Sequence, residues 1–211
     1  MSWLTDNQIF LSIASAKILA LTAYGEARGE GAEGMMAVLN VINNRAQDRS
    51  FFDMNIYNAT GSPYHAVALK QKQFSVFNFG DPNRPMLVSM ASNFDKAVST
   101  NSQLNQAYQM AFMLLNRTLT DNTSGAVYYH EKSITPSWSS SFINLGQIGN
   151  HIFYATTASL QRFKEAVTSV TSAVSSAISE IPASNWFLIA IVGIGGILLM
   201  NALSKTGRER R

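Results

Sequence analysis

Apolar residues recur at helical spacing through most of the first half of the chain. From about Asp6 to Ala27, a broad apolar face of Ile9, Ile13, Ala16, Ala20, Leu21 and Tyr24 predicts one long helix with Asp6 as its N-cap. A second helix is predicted from about Glu30 to Ala46. There Met35, Val38, Leu39 and Ile42 fall at i, i+3, i+4 and i+7, while Asn40, Asn43 and Asn44 take other faces. Gly34 permits close packing of the two helices. Glu30 and Glu33 fall in the first turn of the second, where the helix dipole favours negative charge.

From Ser50 to Pro85 this periodicity breaks up. Turn signals at 60–63 and 80–85 bracket a short helical piece, Tyr64 to Gln71, and the segment Gln73-Phe74-Ser75-Val76-Phe77. Phe74, Phe77 and Phe79 suit either a core or a groove wall. A long helix resumes from about Met90 to Leu119, with Ala107, Met110, Ala111 and Leu114 as its buried stripe. Two short strands follow, Ala126 to His130 and Ile148 to Tyr154, with tight polar connections that suggest a hairpin or small sheet. The fold class is therefore α+β, a mainly helical domain over 1–154 with a small β element.

Past Tyr154 the composition shifts to Ser, Thr, Ala and Val. Leu160, Phe163, Val167, Val170, Val174, Ala177 and Ile181 alternate three and four apart, a heptad pattern predicting a helical stalk over 155–183 that packs on copies of itself or on a partner. Pro182 interrupts it. Residues 184–204 hold an uncharged apolar run, Trp186 to Leu203, which as a helix spans about 27 Å, enough to cross a bilayer core. The tail, 205–211, is basic.

Charge and composition narrow the function. Lys205, Arg208, Arg210 and Arg211 against Glu209 account for the whole formal net charge of +3, so the rest of the chain is neutral. A neutral body with a basic tip lacks the basic face that specific nucleic-acid binding needs. With no cysteine, disulfides and thiolate metal sites are excluded. His65, His130 and His151 are the only histidines and form no close pair, so neither a metal site nor a cofactor is expected. Met1 to Ala20 lacks a positive leading region and carries Lys17 within the apolar run, which reads as a domain helix and not a secretory signal.

The junction between the first two helices concentrates the chemistry. Tyr24-Gly25-Glu26-Ala27-Arg28-Gly29-Glu30-Gly31 sets two carboxylates among three glycines between apolar stretches. Each glycine costs about 1 kcal/mol against alanine inside a helix. The pattern suits a carboxylate held at a helix end, with room for something bulky to approach. Glu26 is the candidate catalytic group and Glu30 the secondary carboxylate.

The run from Leu19 through Gly34, continuing Val38-Leu39-Asn40-Val41-Ile42-Asn43-Asn44-Arg45, resembles the opening of the spore-cortex-lytic (SleB-type) cell wall hydrolase family. So do Gln73-Phe74-Ser75, Tyr128-Tyr129-His130, Pro136-Ser137-Trp138 and Ile148-Gly149-Asn150-His151-Ile152-Phe153-Tyr154, in family order and spacing. The resemblance covers about Leu19 to Tyr154. It implies a lysozyme-like, lytic transglycosylase-like fold and cleavage of the β-1,4 bond between N-acetylmuramic acid and N-acetylglucosamine in peptidoglycan, with Glu26 as acid. Gln73, Phe74, Ser75, Tyr128, Tyr129, Trp138 and His151 are the residues expected to bind the glycan.

Peptidoglycan lies outside the cytoplasmic membrane, and a basic tail after the apolar run favours the cytoplasmic side. A domain made in the cytoplasm without export meets its substrate only if something else delivers it. The expectation is a phage virion protein, released into the envelope at infection, with residues 184–204 entering a bilayer and the stalk contacting copies of itself or other virion proteins. The alternatives are a bacterial inner-membrane wall remodeller and a non-enzymatic oligomeric conduit with a glycan-binding domain.

Overall fold

The computed structural model describes residues 3–179, so the apolar run and the basic tail lie outside the described residues. Among the described residues no helix is long and apolar enough to cross a membrane. The chain divides into two units, Met1–Leu160 and Gln161–Arg211.

The first unit is built around α3 (Ser15–Ala27). Ile18, Leu19, Ala20, Leu21 and Ala23 are all fully buried, on every side of this helix. A helix apolar all round requires neighbours all round, and α3 packs against α4 (Gly31–Arg45), α6 (Pro63–Ala68), α7 (Arg84–Ser92) and α9 (Ser102–Leu115). Its one polar interior group, Thr22, is satisfied locally, the hydroxyl donating to the Ile18 carbonyl at 2.7 Å.

The expected single helix from Asp6 is instead three pieces: α1 (Trp3–Asp6), α2 (Gln8–Leu11) and α3. Asp6 ends α1 and caps nothing. The break is fixed by tertiary bonds. Asn7 is fully buried, donates to the Trp3 carbonyl, and accepts from Arg84 at 3.0 Å.

The helix expected from Met90 to Leu119 is likewise α7, α8 (Phe94–Thr100) and α9. Asn101 makes the second break. Its side chain caps α9 by accepting from the Leu104 N–H at 2.9 Å, and its amide donates to the Tyr24 hydroxyl at 2.9 Å. The expected stripe of α9 is buried, with Leu104 added. Met35, Val38, Leu39 and Ile42 of α4 are fully buried as their spacing requires. Between α4 and α7, α5 (Met54–Thr60) is capped by Asp53, and α6 is shorter than Tyr64 to Gln71.

The sheet has three strands, not two: β1 (Tyr128–Glu131), β2 (Ile143–Ile148) and β3 (His151–Ala155), all antiparallel in the order β1-β3-β2. β2 is mostly exposed on both faces, so it carries no alternation to betray it. The stretch expected to be one strand from Ile148 is a hairpin turn at Gly149-Asn150 leading into β3, with Gly149 at φ +58°. Phe153 joins Ala37, Val41 and Ala126 in a small core that seats the sheet on α4.

α10 (Thr157–Ser179), which from Gln161 onward belongs to the second unit, carries the heptad positions up to Ala177. Val167, Val170 and Val174 are exposed along it.

Candidate active site

Glu26 lies in the last turn of α3 and is partly accessible. Three donors from two distant segments converge on its carboxylate. The Val76 backbone N–H and the Ser75 hydroxyl donate to Oε1 at 3.2 and 3.4 Å, and the Tyr129 phenol donates to Oε2 at 3.0 Å. The 3-10 turn Ser75–Phe77 is brought this close because position 25 is glycine. A Cβ there would stand 3.0 Å from Val76 Cγ1.

Burial raises the Glu26 pKa above the usual carboxylate range, and the charge of Asp81 adds to the rise. The bonds from Val76 and Tyr129 and the charge of His151 oppose it without cancelling it. Tyr129 is held well above its ordinary value, first by burial and then by the adjacent Glu26, so its phenol stays a donor.

Beneath this lies Arg45, only 6% exposed. Its Nε donates to the Val127 carbonyl at 2.6 Å and its Nη1 to the Gln73 Oε1 at 2.8 Å. Its guanidinium lies over the rings of Phe51, Phe74 and Tyr128 at 5.6, 5.2 and 5.8 Å. Burial lowers its pKa, while Tyr129, Tyr128 and Glu26 support its charge. Arg45 therefore ties the 73–77 segment and the entry to β1 to one point.

The structure sorts the residues expected from the sequence. Ser75 and Tyr129 touch Glu26, and His151 packs edge-on against Tyr129 with ring centroids 4.9 Å apart. Gln73 acts through Arg45. Phe74 does not line the cleft as expected. It is 1% exposed in the core, its ring under Arg45, so it supports the floor of the site. Tyr128 and Trp138 belong to an aromatic cluster with Phe142, His130 and Tyr154. Tyr128 stacks on Phe142 at 4.3 Å, and Trp138 meets His130 and Tyr154 at 5.6 Å each.

Glu30 does not cap α4. Its carboxylate turns to His151, Oε1 to Nδ1 at 2.8 Å, and accepts from the Asn150 N–H at 3.1 Å. Asp81, Val76 and Arg45 were not expected at the site. Asp81 stands within a turn signal, Val76 contributes a backbone group, and Arg45 carries a charge whose burial no local pattern reveals. Among the described residues no three His, Asp or Glu side chains gather to hold a metal ion.

A mainly helical domain that presents one carboxyl of raised pKa at a helix end, ringed by donors, has the arrangement a general acid needs. Residues 29–154 match the family model described as Cell Wall Hydrolase, and the chain belongs to that family of peptidoglycan-degrading enzymes. That match begins just after Glu26 and takes in every other residue of the site described above apart from Gly25.

Two solved structures are similar. The catalytic domain of the germination-specific lytic transglycosylase SleB from Bacillus anthracis shares 23% identity over 68% of this chain and 98% of its own, with a TM-score of 0.48. The catalytic domain of the Bacillus cereus SleB protein shares 24% over 67% and 89%, with a TM-score of 0.44. No curated protein matches the chain.

Proposed function

We propose that the protein is a lytic transglycosylase cleaving the β-1,4 bond between N-acetylmuramic acid and N-acetylglucosamine, with Glu26 as both acid and base. The carrying observation is that Glu26 holds a raised pKa among three donors, while the neighbouring carboxylate, Glu30, is engaged by His151 and Asn150. The neutral carboxyl protonates the leaving glycosidic oxygen as its bond to the muramic anomeric carbon breaks. The resulting carboxylate, steadied by Val76, Ser75 and Tyr129, then takes the proton of the muramic 6-hydroxyl. That oxygen bonds to the anomeric carbon and closes an anhydro ring, with no water consumed. Glu26 ends protonated, as it began.

A second reading has one observation in its favour. Asp81 is close enough for its charge to raise the Glu26 pKa, and a two-carboxylate hydrolase would use it to activate water. Mass analysis of digested peptidoglycan decides between the two. Anhydro-muropeptides support the transglycosylase, and reducing ends overturn it in favour of hydrolysis.

We further propose that the enzyme travels in a phage virion and opens the wall during genome entry, anchored in a bilayer through 184–204 and self-associated through α10. Support comes from the combination on one chain of a wall-cutting domain, a heptad helix with exposed valines and an uncharged run of bilayer length. Proteomics of purified particles tests it. The chain in uninfected host membranes and not in particles would mark a bacterial inner-membrane enzyme instead.

A further inference from the structure

We propose that Glu30 and His151 are positioning residues that lock the Tyr129 phenol onto Glu26, an inference that rests on Glu26 as the catalytic acid. Glu26 and Glu30 lie four positions apart, on the last turn of α3 and the end of the 3-10 turn Arg28–Glu30. Each reaches the sheet at a different point. Glu26 meets Tyr129 on β1 at 3.0 Å, and Glu30 meets His151 on β3 at 2.8 Å.

The strand register closes the circuit. Tyr129 lies opposite Phe153 and Glu131 opposite His151, which makes Tyr129 and His151 diagonal neighbours on one sheet face. Their rings meet edge to face at 4.9 Å and 75°. The segment 26–30 is thus fastened to the sheet at two points, and the two fastenings touch through the Tyr129 and His151 rings.

Helix capping does not account for Glu30. It occupies the N-cap position of α4 yet makes no side-chain cap bond, and its side chain is only 9% exposed. Burying a carboxylate is costly unless it is bonded. Here two glycines clear the space for it. A Cβ on Gly34 would stand 2.5 Å from Glu30 Cβ, and one on Gly149 would overlap Glu30 Oε2. A carboxylate accommodated this closely, and spent on a hairpin turn, fixes the sheet against the end of α3.

The groups facing Glu26 come from every side: Tyr129 from β1, His151 from β3, Asp81 from the loop before α7, and Arg45 from α4. Of these, the His151 charge favours the Glu26 carboxylate and Asp81 opposes it. Loss of His151 therefore leaves the acid form favoured. Because a general acid works protonated, the alkaline limb of the kcat profile then moves to higher pH.

The test uses full-length protein on soluble uncrosslinked peptidoglycan strands, comparing wild type, Glu26→Gln, Glu30→Gln, His151→Phe and the Glu30→Gln/His151→Phe double variant. A misplaced acid costs up to about a hundredfold. The expected result is a kcat loss of about tenfold or more in each positioning variant, with KM changed less than about twofold. The double variant should be no worse than the poorer single, and His151→Phe should shift the alkaline limb upward.

His151→Gln replaces His151→Phe if the latter fails to give the wild-type circular dichroism spectrum. Wild-type kcat and an unmoved limb in these variants, or losses that multiply in the double, overturn the inference alone. A Glu26→Gln protein at the parent rate overturns the assignment of Glu26 and this inference with it.

Discussion

The Tyr129 phenol donates to the Glu26 carboxylate at 3.0 Å, across 103 positions of sequence. That bond joins the most buried helix of the domain to the first strand of its sheet, and it opposes the rise in the Glu26 pKa that burial causes.

Glu26→Gln keeps the shape of the side chain and removes the proton. Cleavage of purified peptidoglycan should fall by about 10²–10⁴-fold, the usual contribution of a general acid–base group. Zymography beside a circular dichroism spectrum checks that the loss is chemical.

The same variant should be more stable than wild type at neutral pH. The folded pKa of Glu26 is raised above its unfolded value, so its contribution is fully present below the unfolded pKa and lost as pH rises through the folded one. Glutamine has no charge to bury. Melting curves should show Glu26→Gln gaining over wild type near pH 8 and showing no such gain near pH 4.

Tyr129→Phe removes a bond that favours the Glu26 carboxylate, so the Glu26 pKa climbs further. The alkaline limb of the pH–rate profile should move to higher pH as maximal rate falls. A limb at its wild-type position would show that the phenol does not act on the acid.

Gly25→Ala places a methyl group against Val76, 3.0 Å from its Cγ1. Overpacking of this kind costs about 1–3 kcal/mol, and the displaced turn takes the Val76 N–H away from Glu26. Both a lower melting temperature and reduced turnover are expected, whereas Gly29→Ala, with open space around it, should show neither.

Arg45→Met retains volume but leaves the Val127 carbonyl and Gln73 without their donor. An unsatisfied buried group costs about 1–3 kcal/mol, so a loss of about 3 kcal/mol in urea unfolding is expected. Arg45→Lys should recover little, because one ammonium does not reproduce the flat guanidinium that bonds in two directions and lies over three rings.

The sequence by itself determined the helical core, because burial stripes repeat with the helix: α4 and α9 bury the positions their spacing names. It also singled out Glu26 as the candidate acid, since glycines around a carboxylate between apolar helices are a local pattern. Local patterns say nothing of long-range capture. Asn7 and Asn101 break expected helices through bonds to distant residues, and β2 stays hidden because it pairs without burying a face. Likewise only the tertiary structure decided what each carboxylate meets. The sequence ranks Glu26 as the candidate acid and Glu30 as a secondary carboxylate in the first turn of the next helix, but it names no partner for either. In the fold, one meets a backbone N–H, a serine hydroxyl and a phenol, and the other is claimed by His151 and a hairpin turn 120 positions away. Burial and partners set a proton's affinity, and both are properties of the folded chain.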